Sequence, residues 1–208
     1  MGRVVDLIVP VKRLDRAKSR LRGVLPAHVE LVLALLVDTV TAACATPGVR
    51  RVLVVCEDDR VPPALRGSGA ECVDRRGLPG LNAALDHGAA LLRAADTHGV
   101  VGALQADLPA LRPADLAAAL AEAAGRRAFC ADRAGTGSTL LLSAPGAALD
   151  PRFGLGSAAA HAESGALRLT AAAPSLRCDV DTPDDLAAAT DLGLGPRTST
   201  LVCCVTPR

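Results

Sequence analysis

Short apolar runs rich in β-branched residues recur along the chain, and longer segments with helical spacing lie between them. The runs predict strands at residues 4–9, 51–56, 71–74, 100–105, 127–131, 139–143 and 176–180. Helices are predicted near 28–45, 80–95, 113–124 and 183–192. The last two open with Pro113 and Pro183, placed where a missing N–H costs nothing. Strand and helix in alternation argue for an α/β fold with a mostly parallel sheet flanked by helices. Residues 127–131 and 139–143 follow each other without a helix between them, which predicts an antiparallel insertion and a mixed sheet. One domain is expected over residues 1–195. Residues 196–208 lose the pattern and are expected to form a loose, disordered tail. In such sheets ligands bind beyond the carboxyl ends of the strands, where strand order reverses.

Composition narrows the function classes. The longest unbroken apolar run, Leu31–Val37, is far short of the ~20 residues of a membrane span. Asp6 interrupts the apolar stretch after Arg3, so no secretory pattern is read there. The seven cysteines include no Cys-x-x-Cys pair, which suits reduced thiols and a cytoplasmic protein. Net charge is +1 and Phe129 and Phe153 are the only aromatic residues, leaving neither a bulk field nor a stacking platform for nucleic acid. The alanine and arginine bias is read as a GC-rich coding sequence.

Candidate chemistry begins after the first strand. Lys12, Arg13, Arg16, Lys18, Arg20 and Arg22 put six cations into eleven residues, among them the only two lysines of the chain. A solvated face is the ordinary explanation of such a run. Its place directly after a strand, where α/β folds cradle phosphates, favours an anion site instead. It is no Walker loop, for the Gly-x-x-x-x-Gly-Lys pattern is missing.

Asp107 stands just past a predicted strand, before Pro109, where a turn-forming role competes with a functional one. In Asp179-Val180-Asp181 alternate positions of an extended chain put both carboxylates on one side. Thr182, Pro183, Asp184 and Asp185 then read as a helix cap. Asp179 and Asp181 are left without a capping role, and like charges so close call for a cation between them. Magnesium, held by carboxylates together with substrate phosphates, suits them. Three loops add weaker signals: Gly135-Thr136-Gly137-Ser138-Thr139, Arg152-Phe153-Gly154-Leu155-Gly156-Ser157 with Ser157 as a helix cap, and Leu81-Asn82 at the start of the helix expected near 80–95, facing a base or ribose. The four histidines share no metal-ligand spacing with the cysteines and read as surface or helix residues.

Together, Val9-Pro10-Val11-Lys12, Ala17-Lys18-Ser19-Arg20-Leu21, Leu81-Asn82-Ala83-Ala84, Asp107-Leu108-Pro109, Gly135-Thr136-Gly137, Arg152-Phe153-Gly154 and Cys178-Asp179-Val180-Asp181-Thr182-Pro183 occur in order. The set resembles the phospholactate/phosphoenolpyruvate guanylyltransferase family of deazaflavin coenzyme F-420 biosynthesis, over about residues 4–195. The resemblance implies a Rossmann-like nucleotidyltransferase fold, a homodimer, and transfer of GMP from GTP to a small phosphorylated acid with release of pyrophosphate. It implies that Asp107, Asp179 and Asp181 coordinate magnesium and, with Lys18, carry catalysis. Ser138 or Thr139, Gly154 and Ser157 would hold the acid, while Lys12, Lys18, Arg20 and Asn82 would bind the nucleotide. Ala106 departs from the glycine that relatives often have, and Ser138 from a common threonine. Family members use phosphoenolpyruvate, 2-phospho-L-lactate or 3-phospho-D-glycerate, the first being expected here. Another nucleotidyltransferase, a metal-dependent nucleotide-sugar glycosyltransferase and a non-catalytic nucleotide-binding regulator are the rival readings. A triphosphate substrate accounts for the six cations better than a sugar diphosphate does, which speaks against the glycosyltransferase; the regulator would bind GTP and magnesium without turnover.

Overall fold

The computed structural model describes residues 4–15, 17–23, 27–74 and 77–203 of the 208. Strands β1 (Val5–Val11), β2 (Val49–Cys56), β3 (Glu71–Asp74), β4 (Val100–Leu104), β5 (Ala128–Ala131), β6 (Ser138–Leu142) and β7 (Leu167–Arg168) form one sheet in the order β3-β2-β1-β4-β6-β5-β7. The pairs β1–β2, β2–β3, β1–β4 and β5–β7 are parallel, while β4–β6 and β5–β6 are antiparallel. The mixed sheet and its antiparallel insertion are therefore as expected. All seven positions of β1 are buried, as a central strand covered on both faces requires.

Helices α1 (His28–Cys44), α2 (Val61–Ala64), α4 (Pro113–Ala123) and α6 (Pro174–Arg177) cover one face of the sheet, and α3 (Gly80–Ala95) and α5 (Ser157–Glu163) the other. The layer of α3 lies close: a Cβ at Gly88 would come within 2.8 Å of the Ile8 side chain, so only glycine lets the helix seat on β1. Among the described residues no helix is long and apolar enough to cross a membrane.

Strand order reverses at β1, whose neighbours are β2 and β4. Pairing with β4 stops at Ile8↔Ala103, whereas pairing with β2 continues to Val11↔Cys56. Pro10, which has no N–H for a ladder, lies two residues beyond that stop. Beyond Ile8 and Ala103 the two strands are no longer paired, and the opening between their carboxyl ends is the switch point at which this class of sheet takes its ligands.

Two expectations are corrected. Residues 176–180 were expected as a strand, but Pro174–Arg177 forms helix α6 and residues 178–180 have no regular structure and do not join the sheet. Proline at the first helical position starts that turn, and Val180 is the stretch's one β-branched residue. The expected loose tail is helix α8 (Pro196–Cys203), and it packs on α1 beside helix α7 (Pro183–Leu192). Buried Asp38 accepts from the backbone N–H groups of Arg197 (3.0 Å) and Thr198 (2.7 Å), capping α8 from another helix. Gly195 leads into it with no room for a Cβ against Asp38. Residues 204–208 lie outside the described residues.

Candidate active site

A cleft of about 610 Å³ opens at the carboxyl ends of β1 and β4. Its basic wall is the loop after β1, which other residues pin. Leu14 and Leu21 are fully buried, and the Leu14 N–H donates to Asp58 at 3.0 Å. The guanidinium of Arg60 holds that carboxyl well below the usual carboxylate range, with the Leu14 N–H adding to the effect. His28 Nε2 donates to Ala17 O at 2.9 Å. The pinned loop sorts its cations. Arg13 pairs with Asp15 at 3.2 Å, and Arg22 donates to the Asp15 carbonyl at 2.7 Å. Lys12, Lys18 and Arg20 line the cleft, while Arg16 lies outside the described residues. Lys18 adopts a left-handed conformation, φ 52°, that a side chain rarely takes, and such local strain tends to concentrate at functional positions.

From there the Lys18 ammonium meets two carboxylates from distant segments. It contacts Asp107 directly and Asp181 Oδ1 at 2.6 Å. The backbone holds Asp107: Gln105 N–H donates to Thr139 O (2.9 Å), and Leu108 N–H donates to Thr39 Oγ1 (2.9 Å). Val180 N–H donates to Asp107 O at 3.0 Å, tying the Asp179–Asp181 segment to the end of β4. Val180 is fully buried, and the carboxylates on either side of it line the cleft. The alternation read from the sequence thus survives although the strand does not.

Thr182 and Asp185 form the expected capping box, with Thr182 Oγ1 accepting from Asp185 N–H at 3.2 Å and Asp185 accepting from Thr182 N–H at 3.0 Å.

The acidic cluster is short of positive charge. Burial, reinforced by the Asp107 charge, pushes the Asp179 carboxyl up to about 7, against the opposing pull of Lys18. Asp107 Oδ1 is buried with no hydrogen-bond partner. Among the described residues no three His, Cys, Asp or Glu side chains are already disposed to hold a metal, for the ammonium lies between Asp107 and Asp181. An orphaned carboxylate oxygen and a carboxyl that retains its proton near neutrality nevertheless fit a hard divalent cation.

The opposite wall comes from β6 and the segment before α5. Ladder pairing shifts between Cys130 and Ala131, so Ala131 faces Ser138 while Cys130 faces Leu140, leaving Thr139 as the extra residue. A bulge of this kind re-aims side chains. Ser138 lines the cleft, while Thr139 is fully buried and does not; of the two hydroxyls, the serine is the one in the cleft. Gly154 and Ser157 also line it. Ser157 is the first residue of α5 and not its cap, a place taken by Gly156 in a left-handed conformation.

Asn82 does not line the cleft, and its amide is spent elsewhere. It accepts from Phe153 N–H at 3.0 Å and donates to Phe153 O at 3.1 Å, clamping the segment that carries Gly154. Sequence reasoning gave no role to Gln105 and Asp132, which line the cleft together with Thr136 of the expected loop, nor to His161, which lies on a helix as expected but is fully buried behind Ser138. The position of Gln105 right after β4 was a usable signal; the burial of His161 had none.

A family model described as guanylyl transferase, CofC like, matches residues 5–195. A phosphoenolpyruvate guanylyltransferase of Salinispora arenicola is 53% identical over 212 residues, covering 100% of this chain and 97% of its own. Another of that name, from Streptomyces scabiei, is 53% identical over 201 residues, 93% of each chain. Among solved structures, a candidate nucleotide-diphospho-sugar transferase of Desulfovibrio desulfuricans G20 superposes with a TM-score of 0.71 at 15% identity, covering 100% of both chains. That likeness places the fold with the nucleotide-diphospho-sugar transferases. With the family's motifs found around one cleft at the sheet's switch point, the chain belongs to the CofC-like guanylyl transferases.

Proposed function

We propose that the protein joins GMP from GTP to phosphoenolpyruvate, releasing pyrophosphate, in the biosynthesis of deazaflavin coenzyme F-420. The observation that carries this reading is the meeting of Lys18, from the loop after β1, with Asp107 and Asp181 in one cleft. A phosphate oxygen of the acid attacks the α-phosphorus of GTP. The bond from that phosphorus to the bridging oxygen breaks, and the β- and γ-phosphates leave as pyrophosphate.

Both reactants are anions, so positioning and charge neutralisation dominate the catalysis. Lys12, Lys18 and Arg20 receive the triphosphate, with Lys18 moving its ammonium from the carboxylates to phosphate oxygens. Ser138, Gly154 and Ser157 hold the acid on the facing wall. Asp107, Asp179 and Asp181 would hold a magnesium ion, which when bound neutralises phosphate charge and makes the α-phosphorus more electrophilic. A homodimer and the cytoplasm complete the reading, and family likeness alone supports the homodimer.

The test incubates the protein and magnesium with each of the four ribonucleoside triphosphates, and with phosphoenolpyruvate, 2-phospho-L-lactate or 3-phospho-D-glycerate, identifying products by mass. Guanylylated phosphoenolpyruvate with pyrophosphate is the expected product. A product from another pair would reassign the substrates, and no product from any pair would reject transferase activity on these acids.

A further inference from the structure

The chain has two aromatic residues, and both pack on one imidazole. The ring centroid of His161 lies 5.8 Å from that of Phe129 and 4.9 Å from that of Phe153, the latter edge-on. His161 is fully buried, and both of its nitrogens are engaged. Nε2 lies 3.0 Å from the backbone nitrogen of Arg152, and Nδ1 lies 2.9 Å from Ser138 Oγ.

These contacts leave one arrangement of protons. A backbone N–H only donates, so Nε2 must accept and the imidazole proton must sit on Nδ1. Nδ1–H then donates to Ser138 Oγ. The reverse arrangement, with Ser138 donating to Nδ1, would put Nε2–H against the Arg152 N–H, donor to donor. A doubly protonated ring meets the same clash. Burial and the nearby charges of Arg127 and Arg152 favour the neutral ring over the opposing effect of Asp150, holding the group down to about 4.

We propose that His161 is a positioning residue for the acid substrate: by donating to Ser138 Oγ it obliges the serine to present its own proton to the cleft, toward an anionic oxygen of the acid. A hydroxyl that already accepts one hydrogen bond is a better donor for the next. The same imidazole also accepts from the Arg152 N–H, a bond that fixes its tautomer. This inference rests on the reading that a phosphorylated acid binds beside Ser138.

Two substitutions separate the bonds. In His161→Gln the longer amide can still accept from Arg152 but gives up the donor beside Ser138. In His161→Asn an N–H remains near the Nδ1 position and the acceptor is lost. The glutamine variant is expected to raise KM for the acid about tenfold with KM for GTP unchanged, and the asparagine variant to stay within about threefold of wild type. In a Ser138→Ala background His161→Gln should add nothing further. A second, independent tenfold loss there would mean that His161 acts only as packing, and would overturn the proposal.

The nitrogen-15 spectrum of the imidazole needs neither a variant nor turnover. It should show Nδ1 protonated and Nε2 bare, with Nδ1 shifting when phosphoenolpyruvate is added. A proton on Nε2 would overturn the proposal and leave the transferase reading standing, whereas absence of product from wild type with every acid would overturn both.

Discussion

Lys18 and Asp181 stand 163 positions apart in the chain, yet the ammonium of one reaches the carboxylate of the other at 2.6 Å. The same ammonium contacts Asp107, at a depth where both side chains are largely buried. A triphosphate would draw it away, and a cation would then be needed to take its place among the carboxylates. Lys18→Met keeps the length of the side chain and removes the charge. In the metal-free protein it should cost on the order of 3 kcal/mol by leaving Asp107 buried without its partner. Magnesium should restore part of that loss, read as a rise in Tm. Pyrophosphate release should fall about 100-fold or more. A variant as stable and active as wild type would remove Lys18 from the site.

Asn82 spends both ends of its amide on Phe153 and does not line the cleft. Asn82→Ala should therefore act through the segment bearing Gly154, costing about 1–2 kcal/mol. Its KM for the acid should rise while that for GTP stays near wild type. A selective rise in KM for GTP would mean that Asn82 touches the nucleotide, as the sequence suggested.

The buried carboxyl of Asp179, pushed up to about 7, sets a pH dependence of stability. An ordinary aspartate titrates near ~3.9, so between about pH 4 and 7 the folded protein holds a proton that the unfolded chain has released. This contribution to unfolding free energy is present at low pH and is lost as pH rises through that window. His161, held down to about 4, acts with the opposite sign between about pH 4 and 6.5, where the unfolded chain binds the extra proton. Denaturant melts of wild type and Asp179→Asn at several pH values separate the two. Relative to the variant, metal-free wild type should lose stability steadily from pH 4 to 7. A constant difference would show that Asp179 titrates normally.

Asp38 caps a helix that is distant in sequence, and its neighbour Thr39 holds the Leu108 N–H beside Asp107. Gly195 N–H also donates to Pro109 O, at 2.7 Å. Asp38→Ala should cost about 2 kcal/mol and speed hydrogen exchange across residues 196–203. Unchanged exchange there would show that α8 does not depend on this cap.

The sequence made most of the scaffold readable because the central strands are apolar runs with sharp ends. β2, β3 and β4 lie within two residues of their expected bounds. Asp107, Asp179 and Asp181 stood out because a carboxylate beside a buried stretch needs a reason to be there. Other features depended on tertiary partners. The helix at Pro196–Cys203 has only three apolar side chains in a row at its end, Leu201 to Cys203, and gains its cap from Asp38, which no local pattern reveals. β7 is two residues long, below any periodicity. The burial of His161 arises from Phe129, 32 positions away, and Phe153, while alanines around it on α5 hide any amphipathic stripe. The choice between Ser138 and Thr139 turned on a bulge, a one-residue event that the hairpin sequence does not announce.

The most direct measurement is steady-state pyrophosphate release from GTP and phosphoenolpyruvate by Asp107→Asn and Asp179→Asn, with circular dichroism to check folding. If the carboxylates and Lys18 form one site for magnesium and the triphosphate, each variant keeps its native spectrum and loses about 100-fold or more in turnover. Wild-type turnover in either variant would contradict that account.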